Sequence, residues 1–145
     1  MARGDSLQRA LDELEIRNLL ARLAQLADDG DLNEYVSLFA EDGVWEGPPG
    51  PRAGSRNVRR GHADILAGAR ERRAAGIQGP NTHTHHVVTN TAIRLDGDTA
   101  TAKSFYMYLT NTRQKPEVTT MGVYDDTLRR AADGWKMARR VITPG

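Results

Sequence analysis

The second half of the chain is a series of β-forming segments separated by turn signals, and this series most limits the possible folds. Segments rich in Thr, Val and Ile, such as THTHHVVTNTAIRL and TATAKSFYMYLT, flank the turn sequence DGD at Asp96 to Asp98. Two further segments follow, EVTTMGVYDDTLRR and WKMARRVIT, with AADG between them. Because short turns join strands that run in opposite directions, we predict consecutive antiparallel strands.

The first half of the chain is dominated by helical periodicity. An amphipathic helix of about six turns is predicted to begin near Asp5 or Ser6. Its apolar stripe comprises Leu7, Leu11, Leu14, Ile16, Leu19, Leu20, Leu23 and Leu26. Asp31 and Glu34 predict a capping box that opens a second helix, and HADILAGARERRAAG predicts a third. The pattern is α+β, with a curved antiparallel sheet wrapping its concave face around three helices.

Composition narrows the range of functions. The 145 residues suit one domain, residues 1–145, with room for a core and a ligand cavity. Because 20 basic residues balance 19 acidic ones, we expect neither a nucleic-acid partner nor a membrane partner. The absence of cysteine excludes disulfides and thiolate chemistry. No apolar targeting segment is present, so a cytoplasmic location is expected.

Three carboxylates surround the end of the first helix, where the helix dipole disfavours negative charge. Helical spacing places Asp29 on the polar side, and Asp31 is explained as the cap of the next helix. Asp28 borders the apolar stripe and points toward whatever the helix packs on. One interpretation is a half-buried carboxylate bonded to a backbone N–H or an arginine. The other is a carboxylate in an apolar cavity, where it assists proton transfer.

Three histidines lie in one β segment, NTHTHHVVTN. Strand alternation puts His83 and His85 on one face, and His86 on the other with Asn90, which is a further candidate for substrate binding. His83 and His85 could chelate a metal with a third ligand, or could be solvent-facing or inter-subunit polar residues. His86 is either a structural histidine or, if Asp28 holds one of its ring nitrogens, a general base.

Aromatic residues on the predicted strands are candidates for the wall of a pocket. Alternation puts Tyr106 and Tyr108 on the face shared with small residues, while Lys103 lies on the other face. These tyrosines, Tyr124 and Trp45 either line a substrate cavity or form an aromatic core. The Gly-, Pro- and Arg-rich residues 47–61 predict a long loop that closes over the pocket as a lid.

Several phrases along the chain resemble the SnoaL-like family of the nuclear-transport-factor-2-like superfamily. They are IRNLLARLAQLADDGDLNEYVSLFAEDGVWEG, RGHADI, HVVTNTAIRLDGDTATAKSFY and GVYDDTLRRAADGWKMARRVI, spanning Ile16 to Ile142. The resemblance implies a cone-shaped α+β barrel, in which a strongly bent sheet and three helices enclose a deep pocket. It also implies a homodimer, or a larger homo-oligomer, formed through the outer face of the sheet.

Within that superfamily the chain is similar to scytalone dehydratase, hexachlorocyclohexane dehydrochlorinase and bile-acid dehydratase, which use no metal or organic cofactor. Their catalytic aspartate and histidine fall on Asp28 and His86, and their pocket tryptophan falls on Trp45. Two positions depart from scytalone dehydratase: Ala27 replaces a tyrosine, and the second histidine maps near Thr110. The water-activating part of that site is therefore not reproduced.

The candidate side chains of the predicted site favour catalysis by proton transfer. His86 would remove a proton from an activated carbon, Asp28 would orient it, and a tyrosine would stabilise the enolate or assist the leaving group. This supports elimination, double-bond isomerisation or ring closure on a hydrophobic, cyclic small molecule, without a cofactor or metal. The alternative is a non-catalytic module that binds a ligand or assembles with an oxygenase, like the small subunits of ring-hydroxylating dioxygenases.

Overall fold

A computed structural model describes residues 3–49 and 56–145 of the chain, without the side chains of Pro49 and Arg56. The helices of this part are α1 (Arg3–Asp29), α2 (Leu32–Ser37) and α3 (Gly61–Ala74). The strands are β1 (Phe39–Pro49), β2 (Arg56–Arg60), β3 (His85–Asp96), β4 (Thr99–Thr110), β5 (Glu117–Ala131) and β6 (Gly134–Pro144). None of the helices in the described part is long and apolar enough to cross a membrane.

The strands form one curved, open sheet in the order β2-β1-β6-β5-β4-β3. The predicted α+β class is confirmed, and the four strands of the second half pair as consecutive antiparallel neighbours. The sheet as a whole is mixed, however, because β1 and β6 pair in parallel. These two strands come from distant parts of the chain, so no short turn forces them to run in opposite directions.

The segment predicted as a long loop, residues 47–61, contains ordered strands at both ends. β1 continues to Pro49, and β2 pairs antiparallel with it, with Val44 opposite Arg60 and Trp45 opposite Arg59. The prediction missed β2 because its sequence, RNVRR, has almost no apolar alternation. Residues 50–55, where the predicted lid would be centred, lie outside the described residues.

The N-terminal half of α1 packs differently from the prediction. Leu7, Leu11 and Leu14 are exposed, with 62%, 50% and 58% of their surface accessible. Leu14 and Ile16 are two positions apart, or about 200° around a helix, so they cannot both face the core. The buried stripe instead passes from Ile16 back to Asp12, which is 5% exposed. The predicted stripe had combined two different faces of the helix.

The core lies between α1 and the concave face of the sheet. It contains the buried residues Ile16, Leu19, Leu20, Leu23, Leu26, Phe39, Ile65, Ala69, Ala100, Ala102, Leu128 and Met137, among others. On β4 the alternation is regular, with Ala100, Ala102 and Ser104 buried and Lys103 exposed. The face of β4 expected to turn inward is therefore the inner one.

Candidate active site

Asp28 is buried at the C-terminal end of α1, with 7% of its surface exposed. The negative end of this helix is neutralised from outside, since Arg73 Nη2 donates to the carbonyls of Leu26, at 2.9 Å, and Gly30, at 2.6 Å. Asp29 is exposed, and Asp31 caps α2 by accepting from the N–H groups of Asn33 and Glu34. Asp28 thus remains as the carboxylate that faces the interior.

Asp28 and His86 are in direct contact. His86 Nδ1 lies 2.6 Å from Asp28 Oδ1, and the backbone N–H of His86 donates to Asp28 Oδ2 at 2.9 Å. Because an ionised carboxylate only accepts hydrogen bonds, the ring proton belongs on Nδ1, which leaves Nε2 as the basic nitrogen. The side chains are 8% and 15% exposed, so the pair is largely shielded from bulk water.

The other two histidines of the cluster do not share a strand face. β3 begins only at His85, and His83 precedes it as an exposed residue in the left-handed region, with φ of 55°. His85 is 62% exposed, and its Nδ1 lies 3.5 Å from Asp28 Oδ2. Across residues 3–49 and 56–145, no three His, Asp or Glu side chains are grouped to hold a metal ion. The metal hypothesis for His83 and His85 thus finds no third ligand there.

His86 lines a mostly apolar cavity of about 260 Å³. The lining residues are Leu23, Ala24, Ala27, Tyr35, Trp45, Pro48, Arg72, Ile77, Gln78, His86, Tyr106, Tyr108, Thr120, Tyr124, Arg140 and Ile142. Four of the five predicted pocket residues are among them, namely Trp45, Tyr106, Tyr108 and Tyr124. An apolar cavity lined also by a few polar side chains is typical of a small-molecule binding site.

The three predicted tyrosines of the cavity differ in their surroundings. Tyr108 packs 5.1 Å from the His86 ring and donates its hydroxyl proton to the carbonyl of Ile77. Tyr106 stacks on Tyr124 with 4.5 Å between ring centroids, and its hydroxyl has no hydrogen-bond partner among the described residues. Burial raises the pKa of all three phenols, so each stays protonated at neutral pH. The Tyr106 hydroxyl is therefore available to a ligand.

Asn90 is the predicted pocket residue that the structure places elsewhere. It is exposed and absent from the cavity lining. The pairing of β3 with β4 shifts between Thr89 and Ala92, so Asn90 and Thr91 together face one residue of β4. This bulge moves Thr91 inward, where its hydroxyl lies 3.0 Å from that of Ser104, and turns Asn90 outward.

Five polar residues of the cavity were not predicted: Tyr35, Arg72, Gln78, Thr120 and Arg140. Arg140 is buried by a second bulge. The pairing of β6 with β5 skips Ala138, so Arg140 faces inward and Arg139 faces out. Arg72 lies in the last turn of α3, in a run of charged residues that indicated a solvated face. In the sequence, the apolar residues Trp135 and Met137 alternate with polar ones. Continued alternation predicts that Arg139 faces inward, whereas in the structure Arg140 does.

Arg140 is held by a buried ion pair. Its Nε and Nη2 donate to the two carboxylate oxygens of Asp126, each at 2.8 Å, and its guanidinium lies 3.9 Å from the centre of the Tyr124 ring. Burial alone would lower the pKa of Arg140, but the Asp126 carboxylate outweighs it and raises that pKa. Arg140 therefore forms a fixed, charge-compensated end of the cavity.

Comparison with known proteins gives a consistent picture. The model of the SnoaL-like domain matches residues 8–141. An NTF2-like protein with a cystatin-like fold from Novosphingobium aromaticivorans is 27% identical, with 97% of this chain and 86% of that chain covered and a TM-score of 0.81. A protein from Catenulispora acidiphila is 25% identical, with 95% and 94% covered and a TM-score of 0.79.

A third similar structure is ActVI-ORFA from Streptomyces coelicolor, which is 26% identical, with 91% of this chain and 96% of that chain covered and a TM-score of 0.73. The comparison with curated proteins found no match. The family model covers nearly the whole length, and the three structures share the fold over more than nine-tenths of it. The chain belongs to the SnoaL-like family.

Proposed function

We propose that this protein is a cofactor-independent lyase or isomerase that moves a proton on a hydrophobic, cyclic small molecule. The observation that carries the proposal is the contact of Asp28 with His86 at the wall of an apolar cavity. A shielded imidazole whose Nδ1–H is held by a carboxylate has the arrangement of a general base, because its other nitrogen is basic and positioned.

The chemistry follows from the placement of each group. His86 Nε2 takes a proton from a carbon next to a carbonyl or another activating group, and the Asp28 carboxylate offsets the charge of the imidazolium. The electron pair left on carbon forms a double bond. In an elimination it expels water or halide from the neighbouring carbon, and in an isomerisation the enolate is protonated at another carbon. The Tyr106 hydroxyl donates to the oxygen on which negative charge develops.

A test that needs no natural substrate is the Kemp elimination of a nitrobenzisoxazole. A base removes the ring C–H proton while the N–O bond breaks, and the coloured cyanophenolate is followed by absorbance. We expect wild type to accelerate this reaction, and Asp28→Asn and His86→Ala each to reduce the acceleration about 10²–10⁴-fold. Asp29→Asn is the matched control, because Asp29 is the exposed neighbour of Asp28.

Circular dichroism spectra of the variants establish that their fold is intact. If wild type gives no more cyanophenolate than Asp28→Asn and His86→Ala, the pair is not a general base. A ligand that binds the cavity tightly and emerges chemically unchanged would then support the alternative, a non-catalytic binding or oxygenase-assembly module.

A further inference from the structure

Arg72 is a cation in the wall of the cavity. It lies in the last turn of α3, and its guanidinium carbon is 4.3 Å from the centre of the Trp45 ring. Burial lowers the pKa of Arg72, and the Tyr35 phenol beside it acts in the opposite direction. Because an arginine in a protein stays protonated even when its pKa falls, the cavity carries this positive charge at neutral pH.

Arg72 differs from Arg140, the other arginine of the cavity wall, in having no carboxylate bonded to it among the described residues. Arg140 is paired with Asp126 on two hydrogen bonds, and the neighbouring Glu71 is held by Arg59 at 2.5 Å. In the part of the chain that the structure describes, no salt bridge reaches Arg72, and its Nη1 is buried without a hydrogen-bond partner. A desolvated donor without a partner is costly, so a ligand acceptor placed there would be strongly favoured.

A second polar group of the same region is also unused. Gln78 follows α3, is 6% exposed and lines the cavity. Its side-chain amide makes no hydrogen bond to the described residues. A buried amide is normally satisfied, and Gln78 therefore adds a second donor that a ligand oxygen could use.

Arg72 and the general base both line the cavity. His86 is the cross-strand partner of Tyr108, and the stacked rings of Tyr106 and Tyr124 come next along the wall. Arg140 lies over the Tyr124 ring of that stack, and Arg72 lies over the Trp45 ring. A ligand that reaches His86 with its reacting carbon can place an oxygen at Arg72 within the same cavity.

We infer that Arg72, together with Gln78, forms a carboxylate subsite in the cavity, so the substrate is a mostly apolar acid that binds Arg72 through its carboxylate. This inference deepens the proposed function, and it rests on that function in calling the ligand a substrate. Arginines bind carboxylates in other proteins through parallel N–H donors to the two oxygens. Asp126 is bonded to Arg140, whereas no carboxylate of the described residues is bonded to Arg72, and this asymmetry favours one negative charge on the ligand.

The test compares two ligands of the same shape, naphthoate and the naphthamide with the same ring position, by isothermal titration calorimetry. We expect wild type to bind naphthoate more tightly than naphthamide. Arg72→Gln should weaken naphthoate about tenfold to a hundredfold and leave naphthamide nearly unchanged, because only the charge-assisted contact is lost. Arg70→Gln on the exposed side of α3 is the control and should bind both ligands like wild type.

Arg72→Lys distinguishes the loss of charge from the loss of packing on Trp45. Because it keeps the charge, it should retain part of the preference for naphthoate. Equal binding of the two ligands by wild type, an unchanged preference in Arg72→Gln, or binding of neither ligand at millimolar concentration would each overturn the subsite. This test does not depend on catalysis by Asp28 and His86. If His86→Ala still prefers naphthoate and wild type does not catalyse the Kemp elimination, the carboxylate subsite stands and the proposed enzymatic function is wrong.

Discussion

At the scale of single residues, Asp28 joins a helix end to a strand start through both of its oxygens. One accepts from the backbone N–H of His86 and the other holds the imidazole. The same carboxylate therefore fixes the first residues of β3 and sets the tautomer of the ring. The two interpretations of Asp28 that the sequence left open, a backbone-bonded carboxylate and a partner of His86, describe the same side chain.

Arg73 offsets the charge that Asp28 and Asp29 bring to the end of α1. Its two hydrogen bonds to the carbonyls of Leu26 and Gly30 satisfy acceptors that the helix leaves open. We expect Arg73→Gln to lower the free energy of unfolding by about 1.5–3 kcal/mol, the usual range for hydrogen bonds to a charged group. Urea denaturation measures this.

Arg70→Gln is the matched control, because Arg70 is exposed on the same helix and should change stability by less than about 0.5 kcal/mol. If Arg73→Gln lowers the free energy of unfolding as little as Arg70→Gln does, water replaces the guanidinium at the carbonyls of Leu26 and Gly30.

At the scale of elements, two β-bulges decide which polar residues enter the cavity. Because of the bulge in β3, Thr91 faces inward instead of Asn90. Because of the bulge in β6, Arg140 faces inward instead of Arg139. Strand alternation has a period of two, so a single extra residue reverses the face of everything beyond it. β4 and the facing part of β5 have no bulge between Thr99 and Tyr108, and there the tyrosines were predicted on the correct face.

Asn90 makes the bulge in β3 testable. Its φ of 55° lies in the left-handed region, which asparagine and glycine tolerate and β-branched residues resist. We expect Asn90→Val to destabilise the fold by about 1–2 kcal/mol and Asn90→Gly to leave it nearly unchanged. Thermal and urea unfolding compare the two, with Thr89→Val on the adjacent exposed strand position as the control. If Asn90→Val were as stable as Thr89→Val, the backbone at residue 90 would have to be ordinary β.

At the scale of the whole molecule, Asp12 ties the N-terminal helix to the last two strands. Both of its carboxylate oxygens accept from Arg130 at 2.9 Å, and Trp135 Nε1 donates to it at 3.1 Å. Glu15 adds a bond from the backbone N–H of Trp135 at 2.9 Å. These contacts hold the half of α1 that lacks apolar packing, because Leu7, Leu11 and Leu14 face away from the sheet.

The Asp12 cluster predicts a specific acid sensitivity. The hydrogen bonds from Arg130 lower the pKa of Asp12 from 3.8 to about 2. Since the folded state holds this proton less tightly than the unfolded state, the stability that Asp12 contributes is complete above about pH 4 and is lost as the pH falls toward 2.

We expect Asp12→Asn to unfold about 1.5–3 kcal/mol more easily than wild type at neutral pH. The gap should shrink between pH 4 and pH 2, because protonation removes the same charge from wild type. Urea titrations at a series of pH values measure the gap, and Asp5→Asn, near the exposed start of α1, serves as the control. A gap that stays constant down to pH 2 would contradict the assigned role of the Arg130 pairing.

Features that depend on near neighbours along the chain could be predicted from the residues alone. Helical spacing put Asp28 inside and Asp29 outside, and alternation along β4 turned Tyr106 and Tyr108 inward. Other features could be seen only in the folded chain, namely the parallel pairing of β1 with β6, the two bulges, and the approach of Arg72 to Trp45. These features arise from contacts between segments far apart in sequence, and no local period carries a signal of where such segments meet.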